Sequence, residues 1–384
     1  MKVLLINPPQ AQLRQPHAYF PLGLGYLGAV LKESNVEVEG LNLADQDLRS
    51  VSFPDADYYG ISCVDATVDS VRQLTKVLKV KGKVVVGGPY PSVSPNEAYE
   101  TLKPNVVIAG EAEYLFRNLV SGKAKPLPVM DAGFIKNLDA LPFPDRSLFR
   151  SSVVDVSGIH GCGKGVKATT IVSSRGCPFQ CRFCCRNHPM FRVHRFRSAE
   201  NVAEEISFLI HHHGISHLRF VDDCFTLNKL RTLKLCGEIK KYDITWVCIT
   251  RSDKVDKELL EAMQDAHCTE VHIGVETGSN RLLKIMNKQE TTNTYLKAIK
   301  MIKDSGIKVK TYLIYGLPTE TQADRESTLK FLKKAKPDKF TLSHFAPLSG
   351  SGFSCNPHKQ NTWFYPDNDR GWQVFKARIQ EAIS

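Results

Sequence analysis

Three cysteines within eight residues constrain this chain more than any other feature: Cys177, Cys181 and Cys184 in the string SSRGCPFQCRFCCRNHP. Their C-x3-C-x2-C spacing offers three soft thiolates on one short loop. Before the loop, Lys167 to Ser174 (KATTIVSS) is a β-branched run that reads as a strand. After it, SAENVAEEISFLIHHHG reads as an amphipathic helix with Ser198 as cap and Gly214 as stop signal. The triad therefore falls on a strand-to-helix loop, where barrel enzymes carry their chemistry. A cubane iron–sulfur cluster normally takes four protein ligands, so three leave one iron open to a substrate or cofactor. The rival reading is structural zinc, with His188 completing a Cys3His set. Neither pattern requires Cys185, which reads as a packing thiol.

Strand and helix patterns alternate on both sides of that loop. In the first 120 residues, apolar strands are read at Val3–Ile6, Val36–Leu43, Tyr58–Cys63, Lys83–Val86 and Val106–Ala109. Helical runs lie at Leu22–Leu31, rich in small residues, and Val68–Val80. This rhythm predicts an α/β, doubly wound, flavodoxin-like parallel sheet, which binds ligands at the carboxyl ends of its strands. From Lys167 onward six more strands are read, at 167–174, 216–222, 244–250, 269–276, 308–315 and 338–345. Six units predict a partial (β/α)6 barrel of the TIM type. The expected organisation is residues 1–125, a Pro- and Gly-rich connector over 126–165, a barrel over 166–346 and an extension over 347–384.

The net charge of +11 is uneven. Residues 1–150 carry 16 basic and 16 acidic side chains, so the rest of the chain holds the whole excess. Arg175, Arg182, Arg186, Arg192, Arg195 and Arg197 lie in a block without a single acid. Such a block reads either as a positive field for an anionic partner or as a solvated face. The eleven scattered cysteines lack a disulfide framework, which fits a reducing cytoplasm. No apolar run of about 18 residues is present, so no membrane partner is expected. MKVLLINPPQ reads as a first strand rather than a leader. No nucleic-acid module is visible.

The triad, with Phe183 before its last cysteine, resembles the radical S-adenosylmethionine (SAM) superfamily. The stretches KVLLINPP, PLGLGYLGAVL, GISCVDATV, VVVGGPYPS and IAGEAEY, followed by LDALPFPDRSLF, resemble the cobalamin (B12)-binding domain that precedes the barrel in one of its subfamilies. IGVETGSNRLLKIMNK and YLIYGLPTET resemble its barrel. The resemblance implies a [4Fe-4S] cluster on Cys177, Cys181 and Cys184, whose open iron chelates SAM. It implies SAM contacts at Asp222 and Asp223 (ammonium or ribose), Arg251 (carboxylate), Glu276 (ribose or amine), and Tyr315 and Gly316 (adenine), beside Phe183. Cobalamin contacts are implied at Asn7, Pro8, Ser62, Asp65, Thr67, Gly87, Gly88, Pro89, Gly110 and Glu111. The Asp-x-His-x-x-Gly motif that supplies a histidine below cobalt is absent, so the implied cobalamin has no histidine lower ligand. A domain of this fold that binds no cobalamin is the other reading.

The activity implied is methylation of an unactivated carbon, or of phosphorus, in a small molecule. SAM would both methylate cobalamin and yield a 5′-deoxyadenosyl radical. A flavodoxin or ferredoxin is the implied electron donor. One alternative keeps the radical without methyl transfer, in a cyclisation or rearrangement. Another, of a different class, is a non-catalytic zinc-containing nucleic-acid-binding protein, motivated by the basic block.

Overall fold

The computed structural model describes the chain apart from residues 11–12, 14–15, 17–18, 153, 156–161, 164, 354–368 and 384. Six parallel strands open it: β1 (Lys2–Asn7), β2 (Glu37–Asn42), β3 (Tyr58–Ser62), β4 (Lys83–Gly87), β5 (Val106–Ala109) and β6 (Val129–Asp131). Their order is β2-β1-β3-β4-β5-β6. Alternate residues serve opposite faces, as the pleat requires. Leu4, Ile6, Tyr59 and Val86 pack against α2 (Val68–Leu78) and α4 (Pro95–Leu102). Val3, Leu5, Tyr58 and Val85 pack against α1 (Leu22–Lys32) and α5 (Glu113–Val120). Between α2 and α4, the short α3 (Pro89–Val93) starts at the end of β4. The chain reverses its winding between β1 and β3, and a crevice opens there outside the strand ends.

The expected connector contains two short strands that its composition does not indicate, β6 and the two-residue β7 (Val154–Asp155). β6 pairs with β5 through Val107↔Val129 and Ile108↔Met130. The three residues of β6, just after Pro128, are too few to show a period-2 pattern. Leu148, further along, lies against β2 and α1. A Cβ on Gly40 would stand 2.3 Å from the Leu148 carbonyl oxygen, and one on Gly28 2.1 Å from its Cδ1. The small residues of α1 and β2 thus admit the connector.

The second sheet holds β7 (Val154–Asp155), β8 (Lys167–Ile171), β11 (His217–Phe220), β12 (Thr245–Thr250), β13 (Cys268–Glu276), β14 (Lys308–Tyr315) and β15 (Lys339–His344). Its order is β15-β14-β13-β12-β11-β8-β7, parallel except for β7. β15 and β7 are its edges, so the curled sheet is a partial barrel of six parallel strands. A ribbon of β9 (Ser174–Arg175) and β10 (Arg195–Phe196) stands between β8 and β11 in the chain. The outer face is covered by α6 (Ala199–His213), α7 (Lys229–Ile239), α8 (Lys257–Asp265), α9 (Asn280–Ile285), α10 (Thr292–Asp304), α11 (Gln322–Ala335) and α12 (Arg370–Ile383). Ser198 caps α6 by accepting from Asn201 N–H (3.1 Å), and Gly214 ends it at φ 64°. From the extension, Trp372, Phe375 and Ile379 of α12 join this core. Trp363, Phe364 and Tyr365 lie outside the described residues. No described helix is long and apolar enough to cross a membrane.

Candidate active site

The cysteine loop leaves the β9–β10 ribbon and is tied down at several points. Gly176 sits at φ 89°, and a Cβ there would meet the Val193 carbonyl oxygen at 2.2 Å, so only glycine lets the two strands of the ribbon meet. Cys177 N–H donates to Phe191 O (2.8 Å), and Cys184 N–H to Cys181 O (3.1 Å). Arg182 N–H donates to Met286 O (2.8 Å), and its guanidinium donates to the carbonyls of Ile285 and Gly352. Asn287 Nδ2 holds Gln180 O at 2.9 Å. The loop is therefore shaped by backbone and arginine contacts.

Burial pushes the Cys177 thiol up to about 11. Burial also raises Cys181, against the pull of Lys288 and Arg251. A hydrogen bond with the Cys185 sulfur raises Cys184. Metal ligation must displace these protons. The Cys185 thiol thus lies against that of Cys184, a member of the triad. His188 is used otherwise than zinc would require: its Nδ1 accepts from Met190 N–H at 3.4 Å. Among the described residues no three His, Cys, Asp or Glu side chains gather around a single-ion position.

The expected polar residues divide into two groups. Asp222 is buried and already satisfied, accepting from Ser173 N–H (3.1 Å), Ser173 Oγ (2.7 Å) and Ser174 Oγ. It anchors the β8–β9 turn, Oδ1 taking both serine hydroxyls and Oδ2 the Ser173 N–H. Asp223 faces open space and pairs with Arg186 (2.9 Å). Arg251 is committed to Asp253 (2.9 Å), to Lys288 O (3.1 Å) and to Glu290 (3.4 Å). Its Nη1 lies 3.9 Å from Cys181 Sγ, and its guanidinium stacks 3.7 Å above Phe179. Its guanidinium thus already holds the carboxylates of Asp253 and Glu290 beside the Cys181 sulfur.

Glu276 ends β13 at a register shift, with φ 65°. Burial raises its carboxyl, and Lys288 Nζ bonds it at 3.3 Å. Gly274 makes this possible, because a Cβ there would lie 2.4 Å from Glu276 Oε1. Lys288 also reaches Glu290 (3.6 Å) and lies over the Phe183 ring. Lys288 and Glu290 were missed in the sequence; KIMNKQE carries no spacing that separates them from surface charges. Tyr315 packs against His344 and Phe375, and Gly316, at φ 76°, donates its N–H to Glu320.

A cavity of about 350 Å³ lies between the carboxyl ends of the two sheets. From the expected set it is lined by Ser62, Gly87, Gly88, Pro89, Gly110, Glu111 and Asp223. A Cβ on Gly23, in the first turn of α1, would meet nothing within 4 Å, and one on Gly87 only Ile108 O at 3.5 Å. These bare backbones leave room for a broad flat ligand. Asn7, Pro8, Asp65 and Thr67 do not line the cavity. Asn7 bonds Asn42 (2.8 Å), Thr67 closes a turn on Val64, and Asp65 accepts from Ser349 N–H (2.9 Å). Sequence reasoning missed Tyr26, Ser92 and Arg175 on the cavity wall; only the small-residue start of α1 signalled that wall.

The basic block turns out to be spent inside the molecule. Arg175 pairs with Glu113 (2.9 Å) and Glu111 (3.5 Å), Arg195 with Glu111 (2.7 Å), Arg186 with Asp223, and Arg197 with Glu205. The expected open positive field is therefore largely neutralised by acids distant in sequence.

The profile of the Radical SAM superfamily matches residues 171–332, and that of the B12 binding domain matches residues 16–120. The chain is similar to "Uncharacterized methyltransferase PH0819" of Pyrococcus horikoshii, 29% identical over 91% of this chain and 82% of that protein. It is also similar to the anaerobic magnesium-protoporphyrin IX monomethyl ester cyclase of Rubrivivax gelatinosus, 30% identical over 45% of this chain and 32% of that protein. In fold it matches the radical SAM methyltransferase TsrM of Kitasatospora setae, solved with cobalamin and a [4Fe-4S] cluster, at a TM-score of 0.71 and 17% identity, covering 91% of this chain and 77% of TsrM. With both profiles on one chain in this order, the protein carries a B12-binding domain followed by a radical SAM domain.

Proposed function

We propose that this enzyme is a cobalamin-dependent radical SAM methyltransferase acting on a small molecule. The observation that carries the reading is the cavity between the two sheets, with the B12-type strand ends on one side and Asp223, Arg186 and the start of the cysteine loop on the other. Cys177, Cys181 and Cys184 would hold the cluster, and the bare backbones at Gly23, Gly87 and Gly88 would seat the corrin. When bound, these groups supply a one-electron reductant for SAM and a transferable methyl.

The chain's own residues position and exclude. Arg251 and Lys288 place positive charge beside Cys181, which eases reduction of anything bound there. Glu276, held by Lys288, presents a carboxylate to SAM's ammonium or ribose, and Asp223 is placed to do the same from the cavity side. Phe179 and Phe183 keep water from the Cys181 side of the loop. Similarity to PH0819 over most of both chains favours methyl transfer. The cyclase likeness covers under half of this chain and keeps cyclisation as the second reading.

The test is anaerobic reconstitution with iron, sulfide, hydroxocobalamin, SAM and a reductant. The expected results are a brown protein and 5′-deoxyadenosine. A colourless zinc protein sinks the cluster assignment. An active protein whose product lacks the labelled SAM methyl moves the reading to cyclisation.

A further inference from the structure

The face of the barrel sheet turned away from the helices carries charged side chains that the reading above leaves unused. Arg219 on β11, Glu270 and His272 on β13, Lys310 and Tyr312 on β14, and Lys339 on β15 share it. Their neighbours Leu218, Val271 and Val309 face the helices instead. A chain of hydrogen bonds links the inner set. Arg219 Nη2 donates to Tyr312 Oη (2.9 Å), that hydroxyl donates to His272 Nδ1 (2.9 Å), and His272 Nε2 donates to Glu270 Oε1 (2.7 Å). Lys339 Nζ pairs with Glu270 Oε2 at 2.6 Å.

The charges in this cluster do not balance. Burial pushes the His272 imidazole down to about 4, so it is neutral at ordinary pH. One carboxylate, Glu270, then stands among three cations, and Lys339 already takes it. Neither Arg219 nor Lys310 forms an ion pair with any described carboxylate. Arg219 lies over the Tyr19 ring (5.5 Å), and Lys310 over Tyr312 (5.6 Å). Burial and the nearby Arg219 push the Lys310 ammonium down. Desolvated charges are normally paired, and two neighbouring cations without an anion form an incomplete arrangement.

We propose that Arg219 and Lys310 bind an anionic oxygen group, a carboxylate or a phosphate, on the small molecule this enzyme transforms. The proposal deepens the functional reading above and rests on it for the location of the chemistry. Along β13, His272 lies four residues below Glu276, about 13 Å at ordinary strand rise. Above Gly274 that span is taken by the Glu276 carboxyl and Lys288 Nζ. A molecule held by its anionic end at Arg219 and Lys310 would meet this pair at its other end. Arg219 supplies the planar fork that matches either oxyacid, and Lys310 a point charge. Two of the chain's excess positive charges thus stand in the barrel lumen, while the arginine block flanking the cysteines is spent on internal pairs.

Anaerobically reconstituted protein saturated with SAM is titrated with methyl phosphate in one arm and acetate in the other, at ionic strength fixed with chloride, and binding is read by calorimetry. Saturable binding is expected in at least one arm, and that arm assigns the group. Lys310→Gln and Arg219→Gln should each weaken it at least tenfold, and Lys310→Arg should restore most of it. If Arg219→Gln fails to fold, Lys310→Gln still decides, because its ammonium holds no ion pair. No saturable binding in either arm, or binding unchanged in Lys310→Gln, overturns the proposal. The two readings fail separately. Formation of 5′-deoxyadenosine by the same wild-type preparation without anion binding refutes the lumen site alone. Anion binding without 5′-deoxyadenosine refutes the cofactor reading alone.

Discussion

Adjacent residues of one type have opposite fates in this site. Asp222 and Asp223 are neighbours, yet the first is sealed against Ser173 and Ser174 while the second opens on the cavity. Removing Asp222 with Asp222→Ala strands three buried donors and should cost about 3 kcal/mol of stability, measured by denaturant unfolding. Asp223→Ala should leave the unfolding midpoint within about 0.5 kcal/mol but lower 5′-deoxyadenosine formation. Cys184 and Cys185 form a similar pair. Cys184→Ala should abolish iron loading, and Cys185→Ala should retain most of it, as iron and sulfide analysis will tell. The sequence revealed the triad by spacing alone. It could not sort Asp222 from Asp223, because the serines that satisfy Asp222 lie 48 and 49 residues away.

The interior face of β13 gives the element scale its own prediction. His272 titrates near 4 in the folded protein, below its ordinary 6.5, because burial and the cations Arg219 and Lys310 oppose a charge there. Tyr312 also donates into its Nδ1. On acidification the unfolded chain takes the proton first. This contribution to stability is therefore complete above pH 6.5 and is lost as pH falls toward 4, by about 3 kcal/mol. His272→Gln should flatten the fall by that amount in unfolding curves taken at pH 6.5 and pH 4. On β2, Gly40→Ala should destabilise by about 1–3 kcal/mol, since its methyl would run into the Leu148 backbone. The strands themselves were legible because their apolar runs are long. β6 was not, being three residues beside proline, and the role of Gly40 depends on a connector segment more than a hundred residues away.

At the scale of the whole molecule, acids at the β5–α5 junction neutralise arginines of the β9–β10 ribbon. Glu111, at the end of β5, receives Arg195 in a two-point pair (2.7 and 2.9 Å) and lies 3.5 Å from Arg175. Burial opposes the Glu111 carboxylate, but these arginines hold it below the usual range. Glu111→Ala leaves the Arg195 guanidinium without its carboxylate, while Arg175 keeps Glu113, and should cost about 3 kcal/mol, seen as a lower unfolding midpoint with iron content retained. The order of the parts, a doubly wound sheet and then a partial barrel, was readable from the strand–helix rhythm. The destination of the positive charge was not, because composition counts arginines without their partners.

The grip of Arg182 on Ile285 and Gly352, together with Asn287 on Gln180, ties the cysteine loop to the barrel through protein contacts. Small zinc domains collapse when chelated because the ion is their scaffold. Here metal arrival should be a docking event on a ready-made cup. Oxygen-bleached protein stripped of its iron should keep an unchanged far-ultraviolet circular dichroism spectrum, and should regain colour on anaerobic refilling without any refolding phase.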